Sequence, residues 1–99
     1  MRITQDQRSQ IKSIVTQRLG GGAHVWLFGS RVDDNARGGD IDLFISCDVP
    51  LECSIQSAAS ISTQVTRLFR GRKTDVIIEA PNIKHLPIYD VAKATGVEL

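Results

Sequence analysis

Several features that would mark a specialised class of protein are missing from this sequence. The 99 residues include two cysteines, Cys47 and Cys53, which are too few for a disulfide framework and fit no zinc-binding spacing. No apolar run approaches the ~20 residues of a membrane span, and the first residues lack the apolar core of a signal peptide. We therefore expect a cytoplasmic protein with free thiols and no membrane association.

An excess of charge of one sign is also missing. Lysine and arginine number 12, aspartate and glutamate 11, and the net charge is +1, so the chain has no bulk attraction for nucleic acid. The one basic cluster, Arg67, Arg70, Arg72 and Lys73, ends a predicted helix, where cations suit the helix dipole. Nucleic acid is therefore not the expected partner.

The order of periodic segments predicts a single α/β domain over residues 1–99. A capping box at Thr4–Gln7 opens a helix that the glycines 20–22 end, and apolar runs predict strands over 24–28, 40–47 and 74–79. A second helix is expected from near Leu51, and a third between Pro87 and Gly96. One apolar face of the second helix contains Leu51, Ile55, Ala58, Ala59, Val65, Leu68 and Phe69. The expected architecture is a small sheet flanked by helices.

Three aspartates lie at the starts of predicted strands. Asp40 and Asp42 project from the same face because side chains alternate along a strand, and two adjacent like charges repel. Magnesium, a hard cation bound by carboxylates and substrate phosphates, would relieve this repulsion. Two such ions can bind both the attacking and the leaving oxygen of a phosphoryl-type displacement.

Asp75 reaches the same acidic cluster if its strand neighbours that of Asp42. Its carboxylate is also a candidate base for the proton of an attacking hydroxyl. The alternative is that Asp40, Asp42 and Asp75 are an ordinary strand-start residue, an edge charge and a turn residue.

The turn Gly29-Ser30 directly follows the first predicted strand. Glycine permits a close approach of the backbone, and the serine offers a hydroxyl and an N–H to a phosphate. A helical turn beginning at Arg31 would add further anion-binding N–H groups. Arg31 or Arg37 would contribute a cation to a triphosphate, or would pair with the aspartates between them, and both interpretations stay open.

The stretch from Phe28-Gly29-Ser30-Arg31 to Asp40-Ile41-Asp42-Leu43 resembles the motif of the DNA polymerase beta-like nucleotidyltransferases. More narrowly, it is similar to the minimal nucleotidyltransferases, and the resemblance extends over nearly the whole chain. It implies a mixed sheet flanked by helices and transfer of a nucleoside monophosphate, usually AMP, to a hydroxyl with release of pyrophosphate. Many relatives have a serine before the Asp-x-Asp, where this chain has Gly39.

The same resemblance implies roles for particular residues. Gly29 and Ser30 would bind the triphosphate of ATP or another nucleoside triphosphate. Asp40, Asp42 and Asp75 would be catalytic residues and ligands of two magnesium ions.

Many minimal nucleotidyltransferases are similar in being antitoxins that adenylylate a tyrosine of a HEPN-domain ribonuclease toxin. The resemblance therefore implies a protein-adenylylating antitoxin with a HEPN toxin as partner, in a homo- or hetero-oligomer. One alternative is a binding module that silences its partner by occlusion. Another is a transferase for a small hydroxyl compound such as an aminoglycoside, although those relatives are usually longer.

Overall fold

The computed structural model describes residues 3–28 and 41–99. These residues form the helices α1 (Gln5–Leu19), α2 (Ser54–Leu68) and α3 (Pro87–Thr95), and the strands β1 (His24–Phe28), β2 (Ile41–Ser46), β3 (Thr74–Glu79) and β4 (Val97–Glu98). The strands form one sheet in the order β3-β2-β1-β4. β2 pairs with β3 in parallel, whereas β1 runs antiparallel to both β2 and β4. The predicted α/β class with a mixed sheet is confirmed.

The ends of the helices follow the signals in the sequence. Thr4 Oγ1 accepts a hydrogen bond from the backbone N–H of Gln7 in a complete capping box. At the other end, the C-cap of α1 is Gly20, whose φ of 91° is unfavourable for other residues. Pro87 begins α3 and Gly96 ends it. In the described part of the chain, none of the helices combines the length and the apolar character that a membrane span requires.

The alternation of side chains along β2 separates two apolar layers. Ile41, Leu43 and Ile45 are fully buried on one face, beneath α1 and α2. Phe44 is fully buried on the opposite face, where it packs against Tyr89 and Ala92 of α3. Because helices pack on both sides of the sheet, both faces of β2 are covered along much of its length.

An aromatic row anchors α3 to its face of the sheet. The ring of Phe44 lies 5.3 Å from that of Trp26 and 5.6 Å from that of Tyr89, centroid to centroid, distances typical of favourable aromatic pairs. At the end of α3, a Cβ on Gly96 would lie 2.6 Å from the carbonyl oxygen of Ala92 and 3.2 Å from Cβ of Phe28. A glycine is therefore required where the chain turns back against β1.

The start of α2 lies three residues beyond the predicted position near Leu51. The helix begins at Ser54, because the Asn82 side chain bonds both the N–H of Leu51, at 3.0 Å, and its carbonyl, at 2.7 Å. These bonds hold Leu51 in the connection that precedes the helix. The strand β4 was not predicted, since two residues are too short to show a period.

The predicted apolar face of α2 is partly wrong. Ile55 is 82% exposed, and Ala59 is exposed as well. The buried stripe consists of Ser57, Ile61 and Val65. A polar residue, Ser57, thus lies within the stripe that faces the sheet, so a search for apolar residues alone selects a neighbouring stripe.

Two isoleucines of α2 provide a matched test of this corrected orientation. Ile61→Ala should lower the free energy of unfolding by about 2–5 kcal/mol, because it leaves a cavity in the core. Ile55→Ala should change it by less than about 0.5 kcal/mol, since that side chain is in water. Urea denaturation of both variants measures the difference, and equal losses would contradict the assigned facing.

Candidate functional site

Two of the predicted catalytic aspartates lie side by side on neighbouring strands. β2 and β3 are parallel, and Asp42 is the direct partner of Asp75 in their register. Directly paired residues project from the same face of a sheet, on strands about 4.8 Å apart. The prediction that Asp75 reaches the acidic cluster required its strand to neighbour that of Asp42. The structure shows that the two strands are neighbours. Both side chains belong to the face that carries α3.

The described residues that flank the predicted site segment, Phe28 and Ile41, lie beside the Asp42–Asp75 pair. Phe28, which is bonded to Gly29, pairs with Asp42 across β1 and β2. Ile41, which is bonded to Asp40, pairs with Thr74. The predicted residues Gly29, Ser30, Arg31, Arg37 and Asp40 themselves lie outside the described residues.

The two carboxylates differ in their surroundings. Asp42 is half-buried on an internal strand, whereas 48% of the Asp75 side chain is exposed, with its Oδ1 3.9 Å from Nζ of Lys73. Since the lysine side chain is 71% exposed, this contact is weak and leaves Asp75 available to other cations.

The pair of carboxylates fits a hard divalent cation. Two adjacent anionic oxygen donors repel each other without a counter-ion, and magnesium in nucleotide sites is commonly held by one or two carboxylates plus phosphates. Within residues 3–28 and 41–99, no group of three or more histidine, cysteine, aspartate or glutamate side chains is placed to hold a metal. The third predicted ligand, Asp40, is outside those ranges.

A second polar cluster, which the sequence analysis missed, lies further along the same face; we call it the Glu79 cluster. Glu79 Oε1 accepts hydrogen bonds from Ser46 Oγ at 2.9 Å and Lys93 Nζ at 2.8 Å. Nδ1 of His85 lies 3.4 Å from Glu79 Oε2, and its Nε2 lies 3.0 Å from Oδ2 of Asp90. The cluster joins the carboxyl ends of β2 and β3 to α3.

The charges of the Glu79 cluster stabilise one another. The hydrogen bond from Lys93 lowers the pKa of Glu79 below its ordinary value of 4.5, and burial opposes this shift. The hydrogen bond to Asp90 raises the pKa of His85 above its ordinary value of 6.5. Both shifts favour the charged forms, so the cluster is an ionic tether for α3.

The position of the cluster separates it from the aspartate pair. Ser46 is four residues beyond Asp42, roughly 13 Å along a strand that rises about 3.3 Å per residue. Asp75 and Glu79 are four residues apart in one strand, so the alternation of side chains predicts that they lie on the same face of the sheet. Nothing in the sequence indicated that Lys93 and His85 would meet Glu79.

Both cysteines are free, as the sequence predicts; Cys47 is buried and Cys53 is exposed. Burial raises the pKa of the Cys47 thiol, and the nearby charges of Asp48 and Glu79 add to this effect, against a bond to the Val49 carbonyl. Cys47 belongs to the apolar core, and a thiol with a raised pKa is a poor nucleophile.

A mixed sheet that holds two carboxylates in register, beside the end of an antiparallel strand, is an arrangement suited to metal-assisted phosphoryl chemistry. The family model described as nucleotidyltransferase domain matches residues 8–95. The chain belongs to this family and, with it, to the DNA polymerase beta-like nucleotidyltransferases, whose general chemistry is nucleotidyl transfer. No curated protein is significantly similar to the chain.

The ionic tether predicts a specific pH dependence. The raised pKa of His85 means that its contribution to stability is fully present below about pH 6.5 and is lost as pH rises through the folded-state pKa. The lowered pKa of Glu79 means that its contribution is present above about pH 4.5 and is lost as pH falls through the folded-state pKa. The tether should therefore stabilise α3 most between these two limits.

Titration of the His85 ring by nuclear magnetic resonance tests the tether directly. Its midpoint should lie above 6.5 in the native protein and should fall in Asp90→Asn, because the main hydrogen-bond partner loses its charge. Asp6→Asn, on a helix that packs against the other face of the sheet, is the control and should leave the midpoint unchanged. A midpoint that does not respond to Asp90→Asn would contradict the assigned cause.

Proposed function

We propose that this protein transfers AMP from ATP to a hydroxyl group of a partner protein. The observation that carries the proposal is the in-register pair Asp42 and Asp75, in a chain that belongs to the nucleotidyltransferase domain family. Both carboxylates project from the same sheet face at the strand ends where β1 leads into Gly29-Ser30. The pairing of Phe28, the residue bonded to Gly29, with Asp42 supports this assignment.

Each proposed site residue has a role that its chemistry supports. Ser30 donates its hydroxyl and backbone N–H to phosphate oxygens, Gly29 permits close approach of the main chain, and Arg31 adds a cation. Asp40, Asp42 and Asp75 would hold magnesium, most simply as two ions. Bound there, the metal would neutralise the triphosphate and stabilise charge on the attacking and leaving oxygens.

The proposed reaction is an in-line displacement at the α-phosphorus of ATP. A lone pair of the acceptor hydroxyl oxygen forms the new P–O bond, and the bond from the α-phosphorus to the oxygen bridging to the β-phosphorus breaks. That bonding pair leaves with pyrophosphate. The hydroxyl proton moves to a carboxylate oxygen of Asp75, whose exposed side chain is accessible to an incoming acceptor.

A protein acceptor is favoured over a small alcohol by the exposure of the site. Asp75 lies on an edge strand and is nearly half exposed, so a partner surface must orient the hydroxyl. Orientation supplies much of the rate in such reactions, with effective molarities of about 10⁵ M or more. The resemblance to minimal nucleotidyltransferases supports a tyrosine of a HEPN-domain ribonuclease toxin as acceptor, in a cytoplasmic toxin–antitoxin complex.

Removal of single carboxylate charges tests the catalytic assignment. Asp42→Asn and Asp75→Asn should each abolish AMP transfer in the presence of magnesium, and they should leave the protein folded because asparagine has nearly the size and shape of aspartate. Asp90→Asn, on the same face but outside the proposed site, is the matched control and should retain transfer. Labelled ATP incubated with the co-purified partner provides the measurement, and full transfer by Asp42→Asn would exclude the metal-binding role.

The serine of the proposed phosphate-binding turn is tested by affinity. Ser30→Ala should weaken ATP binding by about tenfold or somewhat more, because a hydrogen bond to a charged group contributes roughly 1.5–3 kcal/mol. Isothermal titration calorimetry measures the change, with urea denaturation as a check that stability is unaltered. Unchanged affinity would remove Ser30 from the site.

Mass spectrometry of the co-expressed pair tests the nature of the acceptor. An AMP adduct should appear on a hydroxyl residue of the partner and should be lost with Asp42→Asn. A partner that is bound and silenced without an adduct would instead support inhibition by occlusion.

A further inference from the structure

The outer edge of β3 exposes backbone groups that no described residue bonds. Ile41 N–H donates to the carbonyl of Lys73 and Cys47 N–H to that of Glu79, each at 2.9 Å. In the regular alternation of a parallel pair, the backbone N–H and C=O groups of residues 73, 75, 77 and 79 then point toward β2. Those of residues 74, 76 and 78 point outward. Thr74 already accepts a hydrogen bond from Ser62 Oγ. The outward N–H and C=O groups of Val76 and Ile78 therefore form the open part of the edge.

An apolar groove runs along this open edge. It has a volume of about 240 Å³ and is lined on one side by Ser54, Ile55 and Ala58 of α2 and on the other by Ile83 and Tyr89. Ile55 is the most exposed large apolar side chain in the described part of the chain, at 82%. The groove is too small for most ligands of drug size, but it has room for one or two side chains.

We propose that the acceptor segment of the partner protein binds this edge as an added antiparallel β-strand. The inference rests on the proposed function and deepens it by specifying how the acceptor docks. Main-chain hydrogen bonds to an exposed sheet edge provide affinity in such complexes, and alternate side chains provide specificity. Two hydrogen-bonded residue pairs, one at Val76 and one at Ile78, would use all four open backbone groups.

This docking places the acceptor hydroxyl next to the catalytic face. The residues opposite Asp75, Ile77 and Glu79 would form the non-hydrogen-bonded pairs, whose Cα atoms are about 4.5 Å apart. Their side chains would project from the same face as Asp42 and Asp75. A hydroxyl residue opposite Asp75 would thus lie beside the carboxylate proposed to take its proton.

The alternation also defines the other positions of the segment. The residue opposite Ile77 should be apolar, and the residue opposite Glu79 should be basic or neutral. The two intervening side chains would project to the other face, toward Ile55 and Ala58, and should be apolar. In the direction of the added strand, the order is basic or neutral, apolar, apolar, apolar, hydroxyl.

Charge disfavours a second copy of this chain as the occupant. The self-pairing register that uses the same backbone groups joins Val76 of one copy to Ile78 of the other. It therefore sets Asp75 directly opposite Glu79 of the second copy, twice by symmetry. Like charges directly opposite across strands are destabilising, even though each Glu79 also contacts Lys93. A partner strand that is neutral or basic at these positions avoids the repulsion.

The probe is a capped pentapeptide with the order lysine, valine, leucine, valine, tyrosine, titrated into the full chain without nucleotide. Amide resonances of Val76 and Ile78 should shift. Methylation of the backbone nitrogens of both valines, which face β3, should weaken binding at least tenfold. Methylation of the leucine nitrogen, which faces solvent, should change it less than twofold and is the matched control.

Variants of the protein test the same edge from the other side. Val76→Pro removes an outward N–H without breaking a bond to β2 and should weaken binding at least tenfold. Ile55→Glu should also weaken it, whereas Val91→Glu, at a 52% exposed site on α3, should not. Equal binding of the two methylated peptides, or no binding at millimolar peptide, would overturn the proposal. A dimer that Val76→Pro dissociates would also overturn it and assign the edge to a second copy.

A second arm with ATP and magnesium separates docking from chemistry. An AMP adduct on the tyrosine of the bound peptide supports both proposals. Edge binding without an adduct supports the docking and counts against the proposed transfer to a hydroxyl.

Discussion

The parallel pairing of β2 with β3 is the constraint on which the rest of this structure depends. It sets Asp42 directly beside Asp75, although 32 other residues separate them in the sequence. A parallel pair requires a crossover connection, and here α2 supplies it. A slip of one residue in the register would turn one of the two carboxylates to the opposite face of the sheet.

The two faces of the sheet have different tasks. One face is closed by α1 and α2 over a continuous apolar layer, which provides most of the core of a small domain. The other face carries the aspartate pair at one end and the Glu79 cluster at the other, and Phe44 and Ile77 of the smaller aromatic cluster lie between them. The Glu79 cluster fixes α3 at that far end, so the short helix covers Phe44 while Asp75 stays accessible.

Elements with strong local signals were predictable from the sequence. The strands around Leu27, Leu43 and Ile78 are short apolar runs bounded by polar or glycine residues, and the capping box at Thr4 and the stop at Gly20 are local signals. The opposite facing of Asp42 and the buried Ile41 and Leu43 followed from the period of two. These features depend on a few adjacent residues, which is why the sequence was sufficient for them.

Features that depend on distant contacts were not predictable. The start of α2 is set by Asn82, which lies 31 residues beyond Leu51. The buried stripe of α2 includes Ser57, so hydrophobicity alone favoured the exposed Ile55. The tether between Glu79 and Lys93 joins a strand to a helix whose relative placement no local pattern encodes. The residues 29–40, which include Asp40 and Ser30, lie outside the described part, so their assignment still depends on the sequence and its resemblance.

The positions of the two aspartates within the sheet imply that they differ in local stability. Asp42 belongs to a strand bonded on both sides, so freeing it requires opening the centre of the domain. Asp75 belongs to an edge strand that, among the described strands, pairs with β2 alone, and the least stable parts of a native protein open first, without global unfolding. Amide hydrogens of β3 should therefore exchange with solvent faster than those of β2. Local opening of β3 would displace the carboxylate of Asp75 while that of Asp42 stays in place. The distance between the two carboxylates can therefore change through movement of Asp75.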